Sequence, residues 1–223
     1  MALIPLGDRG TRQVTARSLR EQARDYYDEK LRQHGPTPAG ADWNSQASQE
    51  LRFRQLESLW ERQPDASLLD YGCGYGAMAA YLRQRGHRGR YVGFDVSEQM
   101  IDAARTQLAA LDACTLTAKR DDLVPLDYAV ASGVLNVKQG ASDAVWHGYV
   151  WEVITDLAAL GQRGFAFNAL TRYSDVEKRR PDLYYADPLE LFDRCKREFS
   201  RFVTLRHDYP LWEFTLIVRK QID

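Results

Sequence analysis

The chain is predicted to fold as an α/β protein. It should form a doubly wound, seven-stranded, mostly parallel sheet with an antiparallel last strand, behind an N-terminal helical extension. Three observations carry this expectation. Residues 67–76 run from a short apolar stretch through Asp70 into glycines at positions 72, 74 and 76, and Ala77–Leu82 then reads as helix. That is a strand turning sharply into a helix through residues without side chains. From residue 67 onward, short apolar runs alternate with helical periodicity, as in a parallel sheet with crossover helices. Finally, the linker Asp208–Leu211 between the last two apolar runs is too short for a parallel crossover, so that pair must be antiparallel.

Taken in order, residues 1–14 lack periodicity and are expected to be loose. Ser18 and Glu21 fit a capping box for a helix to about Gln33, stopped by Gly35 and Pro36. A second helix is expected from about Ser45 to Gln63, with Leu56, Leu59 and Trp60 inward and Pro64 beyond its end. The strands are then expected at Ser67–Tyr71, Arg90–Phe94, Cys114–Ala118, Tyr128–Ser132, Phe165–Ala169, Arg201–His207 and Trp212–Arg219. Helices fall between them at about Gly76–Arg85, Glu98–Leu111 capped by Ser97, Ser142 or Asp143 to Leu160, and Pro188–Phe199. The long stretch Leu170–Asp187 reads as a lid.

Composition bounds the function. The 223 residues suit one α/β domain with a short extension. With 44% hydrophobic and 27% charged residues and a formal net charge of −1, no global field favours nucleic acid or an anionic membrane. The basic clusters at Lys178–Arg180 and Arg194–Arg201 are interrupted or flanked by acids and read as solvated faces. Cys73, Cys114 and Cys195 form no C-x-x-C pair, so neither a disulfide framework nor a zinc site is indicated. No targeting segment or membrane-length apolar run is found, and a cytoplasmic protein is expected.

The glycine turn has two main readings. Gly72, Gly74 and Ala77 satisfy the dinucleotide pattern G-x-G-x-x-G/A, which would suggest NAD or FAD. Asp70 opposes that reading, because a carboxylate beside the first glycine repels a pyrophosphate at the helix N-terminus. Asp70 followed by Gly72, Gly74 and Gly76 instead resembles motif I of the class I S-adenosylmethionine (SAM) methyltransferases, whose ligand is cationic and carries no phosphate. The runs Gly93-Phe-Asp-Val-Ser97, Tyr128-Ala-Val-Ala-Ser132 and Leu211-Trp-Glu-Phe-Thr-Leu-Ile-Val218 look like later segments of the same Rossmann-like family. The resemblance covers about Leu68–Arg219. It implies residues 1–66 as a helical extension or lid and residues 67–223 as the SAM-binding methyltransferase domain.

The resemblance also implies a set of cofactor residues. Asp70, Gly72, Cys73, Gly74 and Gly76 form the turn, and Asp95 at the end of the second strand accepts the ribose hydroxyls. Val96 and Met100 lie against the adenine, Asp122 takes its exocyclic amine and Leu123 offers a backbone amide. Ser132 stands near the methionine part. From the extension, Arg52 pairs with the SAM carboxylate and Trp43 covers it.

Acceptors in open parallel sheets bind beyond the C-terminal strand ends. That brings together Ser132–Lys138, Asn168–Tyr173 and His207–Trp212, with Tyr184 and Tyr185 of the following lid. His207 is the expected general base for a hydroxyl acceptor, with Asn136 and Tyr184 beside it. No metal cluster is visible. The leading expectation is methyl transfer to an oxygen or nitrogen of a small molecule, of natural-product or sugar type. A nicotinamide oxidoreductase and a non-catalytic SAM-binding protein are the alternatives. Ser132-Gly-Val-Leu-Asn136 lacks the Asn/Asp-Pro-Pro-Tyr tetrapeptide often found in N-methyltransferases of amides and bases.

Overall fold

The computed structural model describes residues 16–61 and 63–221, and the expectation for residues 1–14 falls outside that range. Two helices come first, α1 (Ala16–His34) and α2 (Gln46–Glu57). The main unit then reads β1 (Leu68–Tyr71), α3 (Ala77–Gln84), β2 (Tyr91–Phe94), α4 (Glu98–Gln107), β3 (Cys114–Thr117), β4 (Leu126–Ala131), α5 (Asp143–Leu160), β5 (Gly161–Leu170), α6 (Pro188–Glu198), β6 (Phe202–Arg206) and β7 (Glu213–Arg219). The strands lie in the order β3-β2-β1-β4-β5-β7-β6. β1 to β5 pair in parallel, and β7 runs antiparallel to both neighbours.

Local chemistry explains most boundaries. Ser45, Ser97 and Ser142 each accept the backbone N–H three residues on, capping α2, α4 and α5. Gly35 closes α1 in the left-handed conformation, its N–H returning to the Leu31 carbonyl. Three expectations need correction. α1 is already helical at Ala16, so Ser18 lies inside it and is not its cap. α2 ends at Glu57, and Leu59 and Trp60 are buried from the turns that follow. β5 begins at Gly161, directly after α5, and a register shift against β4 absorbs the extra residues before Gly164.

Strand alternation sends successive side chains to opposite faces. Leu69, Ala129, Phe165, Phe167 and Leu216 join α5 and α6 in one apolar layer. Leu68, Val130, Ala166 and Ile217 join α3 in the other. The extension enters both layers: Leu19 of α1 sits in the first, Phe53 and Leu56 of α2 in the second. No described helix is long and apolar enough to cross a membrane.

Candidate active site

A cleft of about 810 Å³ opens beyond the C-terminal ends of β1, β2 and β4, where the strand order runs off in opposite directions from β1. Its floor is the glycine turn. Gly72, Gly74 and Gly76 have φ of +83°, +53° and +84°, a region that side chains disfavour. The N–H groups of Gly72 and Cys73 donate to the Phe94 carbonyl at 2.7 and 2.9 Å, fixing the turn to β2. A Cβ on Gly74 would meet nothing within 4 Å, so the backbone is bare on the open side.

Two carboxylates stand in this cleft. Asp95 accepts from Gly74 N–H through one oxygen and from Ser97 N–H through the other, each at 2.9 Å. Burial nevertheless pushes its pKa up to about 6, against the lowering effect of those amides. Asp70 accepts from the Tyr91 hydroxyl at 2.6 Å. Burial pushes it up to about 7; the tyrosine lowers it and nearby Asp95 raises it. A cavity holding two acids with unfavourable charge suits a cation and hydroxyl donors, and repels a pyrophosphate. These residues fit a cationic nucleoside.

Val96, Met100 and Ser132 line the same cleft, and Tyr27, Trp43 and Phe53 of the extension form its outer wall. Cys73 lines it too, though burial holds its thiol well above the ordinary value and its sulfur lies close to Gly93. Four expected cofactor residues lie elsewhere. Gly76 packs behind the turn against Leu108 and Ala104 of the α4 region. Asp122 accepts from the Thr117 hydroxyl at 2.6 Å on an exposed turn, and Leu123 packs against the core. Arg52 is engaged with Glu213, its Nε and Nη2 donating at 2.5–3.0 Å. It also donates to the Ser48 carbonyl and lies 4.1 Å over the Trp43 ring. It holds the extension to β7 rather than waiting for a ligand's carboxylate.

A second cleft of about 740 Å³ adjoins the first and shares Tyr27, Ala41, Trp43 and Gly133 with it. Asn136, Glu213, Arg52, Asp42 and Arg180 supply its polar lining; Val137, Leu170 and Leu183 supply apolar wall. Its charges are paired, Arg52 with Glu213, Lys30 with Asp42 and Arg180 with Asp182.

The three segments expected around the acceptor do meet. Leu170 N–H donates to Asn136 Oδ1 at 3.0 Å, and Thr171 N–H to the Trp212 carbonyl at 3.1 Å. Tyr173 and Trp212 face outward, however, and Tyr209 turns back to the Thr215 hydroxyl. His207 is exposed, its ring 6.0 Å from that of Tyr173, and it lines neither cleft, so it is not placed to act as base. Tyr184 is buried against α5, its hydroxyl 2.9 Å from His147 Nδ1, and it too lies outside both clefts. The stretch expected as a lid is pinned instead, by Tyr184 N–H to the Asn136 carbonyl and by Arg180 N–H to the Tyr185 hydroxyl. Only Asn136 of the three expected catalytic residues lines a cleft.

Sequence reasoning missed Glu213, Asp42, and the pair Tyr75 and Gln49, whose side chains bond at 2.9 Å in the wall of the first cleft. Glu213 did leave a signal, an acid opening an otherwise apolar strand. No group of three or more acids, histidines or cysteines fit for a metal occurs among the described residues.

The seven-stranded order, the reversed β7, and a glycine turn facing two acids define the class I methyltransferase fold with a nucleoside cleft. Comparison with known proteins agrees. A family described as "Methyltransferase domain" matches residues 69–157. A protein of Mycobacterium tuberculosis named "Putative methyltransferase Rv1506c" is 48% identical over 155 residues, which cover 69% of this chain and 93% of the relative. The magnesium protoporphyrin IX methyltransferase ChlM of Synechocystis PCC 6803, solved with SAM bound, superposes with a TM-score of 0.62 at 16% identity, over 94% of this chain and 99% of that one. DhpI, solved with S-adenosylhomocysteine (SAH), gives 0.63 at 18% identity, over 92% and 98%. The chain belongs to the class I SAM-dependent methyltransferases. SAM is its cofactor, and the nicotinamide alternative falls away.

Proposed function

We propose that the enzyme methylates an oxygen or nitrogen of a small molecule, of natural-product or sugar type, held in the second cleft. The carrying observation is the junction between the clefts: a charge-balanced cleft shares its wall with the cleft that holds the two acids. A cavity of this kind suits a compact acceptor better than a nucleic acid, whose backbone asks for unpaired cations. A cytoplasmic location fits such a role.

SAM supplies an electrophilic sulfonium methyl; the protein positions it and keeps water away. In this reading Asp95 receives the ribose hydroxyls and Asp70 the cationic amino group. Val96 and Met100 bound the adenine, the bare backbone of Gly74 admits the nucleoside closely, and Ser132 flanks the amino-acid part. Trp43 closes the cavity from outside. Asn136 commits its oxygen to Leu170 N–H and keeps its amide nitrogen as a donor toward the acceptor. Among the described residues no histidine lines either cleft, so a base for a hydroxyl acceptor would have to be a carboxylate such as Asp42.

The test is incubation with methyl-labelled SAM and fractionated metabolite extracts, followed by mass spectrometry. A small-molecule product heavier by one methyl is expected. Label appearing only in protein or nucleic acid would overturn the reading.

A further inference from the structure

We infer that Asn168 is a positioning residue for methyl transfer, fixing the turn on which Trp43, the shared wall of the two clefts, is seated. The inference rests on reading the second cleft as the acceptor's site.

Asn168 lies in β5 opposite Thr215 of β7 and is fully buried. It touches neither cleft. Its Oδ1 accepts from Gly133 N–H at 3.0 Å and its Nδ2 donates to Ser132 Oγ at 3.2 Å. One amide thus holds the first two residues of the turn that follows β4. A buried amide that spends its oxygen and nitrogen on one short turn fixes that turn's shape, because losing either bond strands a polar group.

Gly133 has φ of +78°, and a Cβ there would overlap the outer edge of the Trp43 indole. The ring is therefore seated on bare backbone. From the other direction, the Arg52 guanidinium lies 4.1 Å over the same indole and is held by Glu213 at the head of β7. Asn168 and Glu213 are thus two posts on paired strands, and Trp43 is fixed between them. In-line transfer tolerates little displacement of donor against acceptor, so the wall between their cavities must be set accurately. Asn168 sets it without touching either ligand.

SAH and tryptophan fluorescence test this, each protein being compared with its own Trp43→Phe version to isolate the Trp43 signal. Wild type should bind SAH with a change in that signal. Asn168→Ala should weaken SAH binding about tenfold and erase the change, as expected for a stranded buried donor. Gly133→Ala should do the same without altering Asn168. Asn168→Asp should restore most of both readouts, since a carboxylate can accept from Gly133 N–H and from the Ser132 hydroxyl. If Asn168→Ala lowers the unfolding midpoint but keeps wild-type SAH affinity and the Trp43 signal, Asn168 is merely structural and the inference is overturned. Should Asn168→Ala fail to fold, the similarly shaped Asn168→Leu, which also removes both bonds to the turn, decides the matter, and unchanged readouts there overturn the inference too. These measurements need only the cofactor product, so their outcome is independent of the acceptor screen.

Discussion

The two clefts are built by different means. The cofactor cleft is mainly backbone and strand-end carboxylate: a glycine turn stitched to Phe94, and Asp95 held by two amides within two dozen residues of it. The second cleft is made by side chains far apart in the chain. Arg52 reaches Glu213 across 161 positions, and Trp43 meets Gly133 only in the fold. Local backbone geometry is written in short motifs, whereas the second kind of site depends on how the extension is docked.

Breaking the distant construction should cost most. Glu213→Ala leaves the Arg52 guanidinium buried and unpaired, and is expected to lower unfolding free energy by about 3–5 kcal/mol. Chemical denaturation checks this, and the double change Arg52→Met with Glu213→Leu should cost clearly less. Breaking the local construction should spare the fold more and the ligand less. Asp95→Ala removes the acceptor for Gly74 and Ser97 N–H as well as the proposed ribose contact, and calorimetry should show SAH affinity reduced about a hundredfold.

A pH series sharpens the same contrast. With its pKa raised to about 7, Asp70 must lose a proton to receive a cation. SAH affinity should therefore fall as pH drops below about 7, by up to about tenfold per unit, and Asp70→Asn should flatten that slope. The free enzyme moves the opposite way. A carboxyl whose folded pKa lies above its unfolded one holds extra protons when folded, so Asp70 should lower stability as pH rises from about 4 to about 7. Thermal unfolding of wild type beside Asp70→Asn reads that difference. The smallest effect is expected at His207. His207→Ala removes an exposed ring outside both clefts, and should change unfolding free energy by less than about 0.5 kcal/mol and leave SAH affinity unaltered.

That last expectation marks where sequence reading stops. The seven alternating strands, the antiparallel last pair and a cavity around Asp70, Gly74 and Asp95 followed from alternation, linker length and the turn itself, whereas the strand order is known only from the fold. His207 looked like a base because it ends a strand at the right edge, but which way its ring turns depends on packing against Tyr173 and Phe214. Arg52 was read as a partner for the ligand's carboxylate, and its actual partner was not legible, because nothing local in residues 45–57 points to β7. Tyr184 and the stretch around it were read as a lid over the acceptor from length and position alone. The bonds to Asn136 and His147 that pin Tyr184 are tertiary.

The extension contributes Leu19 to one apolar layer and Phe53 and Leu56 to the other, gripping the sheet like a clip on both sides of a page. Removing residues before 67 would therefore strip the core of both layers, and a shortened enzyme should not survive as a minimal catalytic unit. A wholesale swing of α1 and α2 would tear the molecule's interior open, so the two helices belong to the fold's fixed frame.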